Sequence, residues 1–211
     1  MTMELPDECI LNSVGNASIV IAPDIIELIV ILRYEKPTAE EVRNSVDKWK
    51  NYVVTHAKKA GASERSQIVT YENMEKTADG YSFELQINTK MSCYKSAQKL
   101  RSHLVEKLDF DKTSILPLEF HHSRELVAKK REEITNYAIH KVKNNAKTTA
   151  KQMSVRLGSL RTISDVELTE SFMSTGGAGD SNELSQVLQK KSKTKIISAI
   201  VKATFTIIPS A

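Results

Sequence analysis

The chain has 211 residues, 30 Lys and Arg against 26 Asp and Glu, two Cys and one Trp. That length suits one domain, or at most two small ones, and buries roughly 70% of the extended surface. Its apolar fraction of 40% excludes a disordered tail, and the composition excludes collagen and a disulfide scaffold.

The first eight residues open with acids and lack a basic, apolar leader, so no signal peptide is expected. The apolar runs at 19–22 and 25–32 are broken by Pro23, Asp24 and Glu27, far short of a membrane span. Cys9 and Cys93 have no C-x-x-C partner and read as free thiols of a reducing compartment. Without secretion the Asn16-Ala-Ser18 sequon carries no meaning. An intracellular, cytoplasmic protein is the expectation.

Residues 9–22 and 25–34 read as strands, with Pro23-Asp24 at the reversal between them. The second is apolar at nearly every position, which predicts cover on both faces. Thr38-Ala-Glu-Glu41 is a capping box, and Val42, Val46, Trp49, Val53, Ala57 and Ala60 follow at helical spacing to a stop at Gly61. Residues 67–72 and 81–91 form an antiparallel pair about a turn at Asp79-Gly80. Tyr81, Phe83, Leu85, Ile87 and Met91 face the core there.

Tyr94, Ala97, Leu100, Leu104, Val105 and Leu108 make a shorter amphipathic helix, and 115–122 reads as one strand. From 124 to 157 no Pro or Gly interrupts a helical face of Leu126, Ile134, Tyr137, Ala138, Val142, Ala146, Ala150 and Met153, and Gly158 ends it. Residues 160–168 form a strand, and 169–192 have the composition of a flexible loop. The closing strand, 196–208, turns Ile197, Ala199, Val201, Ala203, Phe205 and Ile207 to one side. The order ββαββαβαββ predicts an α+β fold, mainly antiparallel, with helices packed on the sheet.

No catalytic set emerges. His121 and His122 are the most metal-like pair, but neighbouring strand residues point to opposite faces, and no ligand spacing nearby completes a tetrahedral set. His56, His103 and His140 lie in three helices without a motif. The glycines of 176–179 lack the preceding strand and following Gly-Lys-Ser/Thr of a phosphate loop. Ser181 and Cys93 have no neighbouring base, and Glu40-Glu41 and Glu132-Glu133 sit on wet helix faces. Catalytic, cofactor-binding and metal-ligating residues are therefore expected to be none, and no cofactor is implied.

Charge is unevenly placed. Residues 126–157 hold eight Lys or Arg against two Glu, and 187–202 hold five Lys and no acid. Such separation can steer an acidic partner. The patches contain little interleaved aromatic residue and no recognised nucleic-acid motif, so a solvated helix face or a protein partner fits better than nucleic acid.

Gly15-Asn-Ala-Ser-Ile19, Pro23-Asp24 and the apolar run 25–32 resemble the opening of SIMPL domains, where Gly-x-Gly-x-Val leads to Pro-Asp and a Val-rich strand. Ala17 stands where the second glycine is usual. The helix with Val142, Ala146 and Ala150, ending before Leu157-Gly158, is similar to the family's alanine-spaced helix, and the strand 196–208 to its last strand. The resemblance covers nearly the whole chain as a single domain. Exported bacterial members are implied by the missing leader to be the more distant branch, and some of those self-assemble into large rings. The animal branch implies a non-enzymatic adaptor that binds a receptor-associated signalling kinase on the route to nuclear factor kappa-B in innate immunity. That branch implies cytoplasm and also nucleus, although the chain stops at Pro209-Ser-Ala211 without a basic tail. No binding residue transfers, no membrane is implied, and a self-assembling homo-oligomer is the alternative.

Overall fold

The computed structural model describes residues 9–62, 68–109, 111–173 and 193–209. Among these residues eight strands and three helices follow in the order β1 (Ile10–Ile21), β2 (Ile25–Lys36), α1 (Ala39–Lys59), β3 (Ile68–Thr77), β4 (Gly80–Met91), α2 (Tyr94–Lys107), β5 (Thr113–Ile115), β6 (Glu119–His121), α3 (Arg124–Gln152), β7 (Val155–Phe172) and β8 (Lys195–Pro209). All pairings are antiparallel, and the α+β class holds. The chain divides into two compact units, one formed by Pro23–His122 and the other by the segments on either side of it.

In the Pro23–His122 unit the strand order is β3-β4-β2-β5, with β6 also on β2. Central β2 buries Leu28, Val30 and Leu32 completely and also covers Ile29 on its other face, as its nearly continuous apolar run predicts. Thr38 caps α1 by accepting from the Glu41 amide at 3.3 Å, and Val42, Val46, Val53 and Ala57 bury its inner face. Ala97, Leu100 and Leu104 of α2 join the same core. Gly80 opens β4 at φ 149, where a Cβ would meet the Lys36 carbonyl at 2.3 Å, so glycine is required twice over. Residues 115–122 do not form one strand. Pro117, which lacks an amide for the ladder, separates β5 from β6.

In the other unit α3 packs on one face of a three-stranded sheet ordered β1-β8-β7. Ile197, Ala199, Val201, Ala203 and Phe205 of β8 form the buried floor beneath Ile134, Ala138, Val142 and Ala146. β1 and β2 are not a hairpin, because β1 pairs with β8 along its whole length while β2 belongs to the other sheet. The closing strand offers β1 a longer apolar partner than any local turn would. α3 stops at Gln152, five residues early, where Ser154 takes φ 54 and turns the chain into β7. Gly158 lies within β7 rather than ending the helix. A Cβ there would stand 2.2 Å from the Thr206 hydroxyl, beside a bulge between Leu157 and Leu160. Residues 169–172, expected in the loop, extend β7 because Lys195, Ile196, Ile197 and Ser198 pair with them. The remainder of that expected loop, 174–192, lies outside the described residues.

Candidate interaction surface

Strand pairing and helix cover differ in extent on the α3 side of the sheet. Leu160, Ile163, Val166 and Leu168 of β7 stand opposite Phe205, Ala203, Val201 and Ala199, and so share the face that α3 covers. The helix lies mainly over β1 and β8. All four β7 side chains are consequently more than two-fifths exposed, and Phe172 is 60% exposed. Between helix and strand runs a groove of about 450 Å³. Val201, Ala203 and Phe205 form its floor, Leu160 and Ile163 one wall, and Ile139 the other. His140 and Lys143 of α3 supply a basic rim.

Ion pairs fasten one end of this arrangement. Glu170 of β7 accepts from Lys195 at 2.8 Å and from Arg131 of α3 at 2.6 Å. The Lys195 hydrogen bond, and then that of Arg131, hold its carboxyl below the ordinary range against the opposing effect of burial. Lys202 pairs with Asp165 at 3.0 Å. The described lysines of the closing basic segment are thus partly neutralised, whereas Lys143 remains on the groove. Among the described residues no strand pairs with the far edge of β7. Its first half is blunted by register shifts between Leu157 and Asp165, while 165–172 runs regularly.

Four of the five histidines fall into three settings. His140 lies on the groove. His56 and His103, distant in sequence, stack at 4.7 Å between α1 and α2. Tyr52 joins them, its hydroxyl 2.9 Å from His103 Nε2 and its carbonyl 2.9 Å from His56 Nδ1. His121 lies on β6 with Glu119 and Glu27 around its Nε2 at 3.3 and 3.2 Å. Cys93 is exposed at the start of α2, where hydrogen bonds with Ser96 lower its thiol below the usual range. Glu40 and Glu41 occupy the first turn of α1, where acids complement the helix terminus. Glu133 pairs with Lys130 at 2.6 Å on α3. Residues 176–179 and Ser181 lie outside the described residues.

The sequence marks 160–168 as a strand without revealing that α3 leaves Leu160, Val166 and Leu168 open. The signal available was the mismatch between a helix one residue stripe wide and three strands to cover. Among the described residues no helix is long and apolar enough to cross a membrane.

Comparison with known proteins gives a consistent relation. The family model described as "SIMPL: Protein of unknown function (DUF541)" matches residues 11–205. A Xenopus laevis protein named interleukin-1 receptor-associated kinase 1-binding protein 1 homolog is 28% identical over 195 residues, covering 92% of this chain and 77% of its own. Among solved structures, a de novo designed protein, Foldit4, covers 47% of this chain and 99% of its own at 9% identity, with a TM-score of 0.30.

Proposed function

This chain belongs to the SIMPL family, and from that premise we propose that it is a non-enzymatic intracellular adaptor that binds a receptor-associated signalling kinase. The name of the Xenopus relative supports the partner class, and regulation of nuclear factor kappa-B in innate immunity is the pathway we infer for it. The cytoplasm is the proposed site of action, with entry to the nucleus a further part of the proposal. The observation that carries the binding role is the open α3–β7 groove. Its apolar floor and the basic His140 and Lys143 rim suit a partner segment with apolar side chains flanked by acids.

Binding of purified interleukin-1-receptor-associated kinase 1 to the full chain tests this reading. Ile163→Glu places a carboxylate in the groove at an exposed position, so it should weaken binding at least ten-fold while leaving the melting temperature nearly unchanged. Lys143→Glu should weaken it less, mainly through association rate. Wild-type protein that fails to bind would remove the kinase, and full-affinity binding by Ile163→Glu would remove the groove.

One observation favours a second reading, self-assembly: the regular edge of β7 over 165–172, unpaired among the described residues, offers main-chain donors and acceptors to another copy. Light scattering across a concentration series separates the two. A monomer at all concentrations excludes assembly through this edge.

A further inference from the structure

Three side chains from two distant parts of the sequence meet on one face of the Pro23–His122 sheet. Glu119 and His121 lie two apart on β6 and therefore point the same way, and Glu119 stands directly opposite Glu27 on β2. The nearest ligand atoms of all three fall within 4.8 Å of one another. Glu27 Oε2 lies 3.2 Å from His121 Nε2, and Glu119 Oε2 lies 3.3 Å from the same nitrogen.

We propose that Glu27, Glu119 and His121 form a binding site for a divalent transition metal, with zinc the best fit. Two carboxylates converge on one ring nitrogen, which holds a single lone pair or a single proton. One N–H can point along only one of those directions, whereas an ion at the centre of the three atoms satisfies all of them. The two distances from His121 Nε2, 3.2 and 3.3 Å, match edges of the coordination polyhedron of such an ion. A tetrahedron with bonds of about 2.0–2.1 Å has edges of about 3.3–3.4 Å. Calcium, with bonds of about 2.3–2.6 Å and six to eight oxygens, fits this mixed nitrogen and oxygen set poorly.

The site is also braced from behind. Glu27 is only 12% exposed, and its other oxygen accepts from Asn88 Nδ2 at 3.1 Å. Asn88 accepts in turn from Gln86 at 2.8 Å. This chain of amides fixes the carboxylate with Oε2 turned toward His121, the kind of outer support that ligating carboxylates receive in metal sites. His121 and Glu119 are 44% and 51% exposed, so the fourth position opens to solvent. Lys90, across from Glu27 on β4, is the cation with which a metal would compete. His122 follows the last residue of β6 and is not one of the three converging side chains.

Calorimetric titration of chelator-treated full-length protein with zinc, and with cobalt followed by its visible absorption, tests the proposal. One ion per chain should bind, with cobalt giving the intense spectrum of tetrahedral nitrogen and oxygen coordination. Glu27→Gln and His121→Ala should each weaken binding at least ten-fold, Asn88→Ala by about ten-fold, and His122→Ala not at all. Circular dichroism melts establish that each variant is folded. Failure of folded wild-type protein to bind either ion would overturn the site. Binding that survives His121→Ala, or disappears with His122→Ala, would equally overturn it.

Discussion

Replacing Gly15 by alanine tests how closely α3 approaches β1. Gly15 lies on the strand face beneath the helix, opposite Val201. A Cβ built there would stand 2.5 Å from the Ala138 carbonyl oxygen, 2.6 Å from the Val142 nitrogen and 2.7 Å from Val142 Cγ2. Two of those atoms are helix backbone and cannot rotate away. Restoring ordinary contact requires helix and strand to separate by about 0.8 Å, which forfeits a quarter to a half of the dispersion energy of the affected atom pairs. The same movement strains two ties across the contact, Ser13 Oγ donating to the Val142 carbonyl at 3.0 Å and Asn145 Nδ2 donating to the Val14 carbonyl at 2.8 Å. Overpacking of this kind costs about 1–3 kcal/mol, and the rigid neighbours place Gly15→Ala at the upper end. Reduced entropy of the unfolded alanine chain returns only about 0.4–1 kcal/mol. The net loss should be about 2 kcal/mol. Gly61→Ala is the control, since its Cβ meets nothing within 4 Å and its cost arises from φ 106 alone, about 1–2 kcal/mol. Denaturant melts give the magnitude. Amide hydrogen exchange locates it, with protection falling in α3 around Ala138 and Val142 for Gly15→Ala and near the end of α1 for Gly61→Ala. A Gly15→Ala protein within about 0.5 kcal/mol of wild type, with α3 protection intact, would show that the strand does not pass so near the helix.

Ile197→Asp puts a carboxylate where exposure is 0%, and several kcal/mol of lost stability are expected in the same melts, whereas Lys202→Glu should cost no more than about 1 kcal/mol because its ion pair with Asp165 is half exposed; similar losses would refute the β8 register. Glu170→Gln should cost about 0.5–1 kcal/mol at neutral pH. Because folding lowers the Glu170 carboxyl, its contribution is complete above the unfolded carboxylate range and fades as pH falls through the folded value, so wild type and variant should converge in melts at acid pH.

The features legible in the sequence are those set by neighbours along the chain. The Thr38 cap, the helical spacing from Val42 to Ala57 and the β3–β4 hairpin depend on separations of a few residues, and each appears where the local pattern places it. The alternation of Ile197, Ala199, Val201, Ala203 and Phe205 likewise identifies a buried strand face without naming its cover. What escaped the sequence depends on pairings between distant segments. β1 reads as a hairpin partner of β2 because they adjoin, yet its register is with β8, Ile10 opposite Thr206. β7 outgrows its own apolar pattern at both ends because β8 is long enough to pair with Val155 and with Phe172.

The same division explains the two candidate sites. A groove exists only where a helix fails to cover a strand, and no residue of β7 records the width of α3. Leu160 and Leu168 would read identically had a second helix lain over them. At His121 the sequence presents a neighbouring histidine on the wrong face, while the useful partners are Glu119, two residues back, and Glu27, supplied by strand pairing from 94 positions upstream. The Glu119-x-His121 spacing was the available signal, since strand alternation puts both on one side. It gains a third ligand only through β2, so the chemistry of this face is a property of sheet order rather than of any local motif.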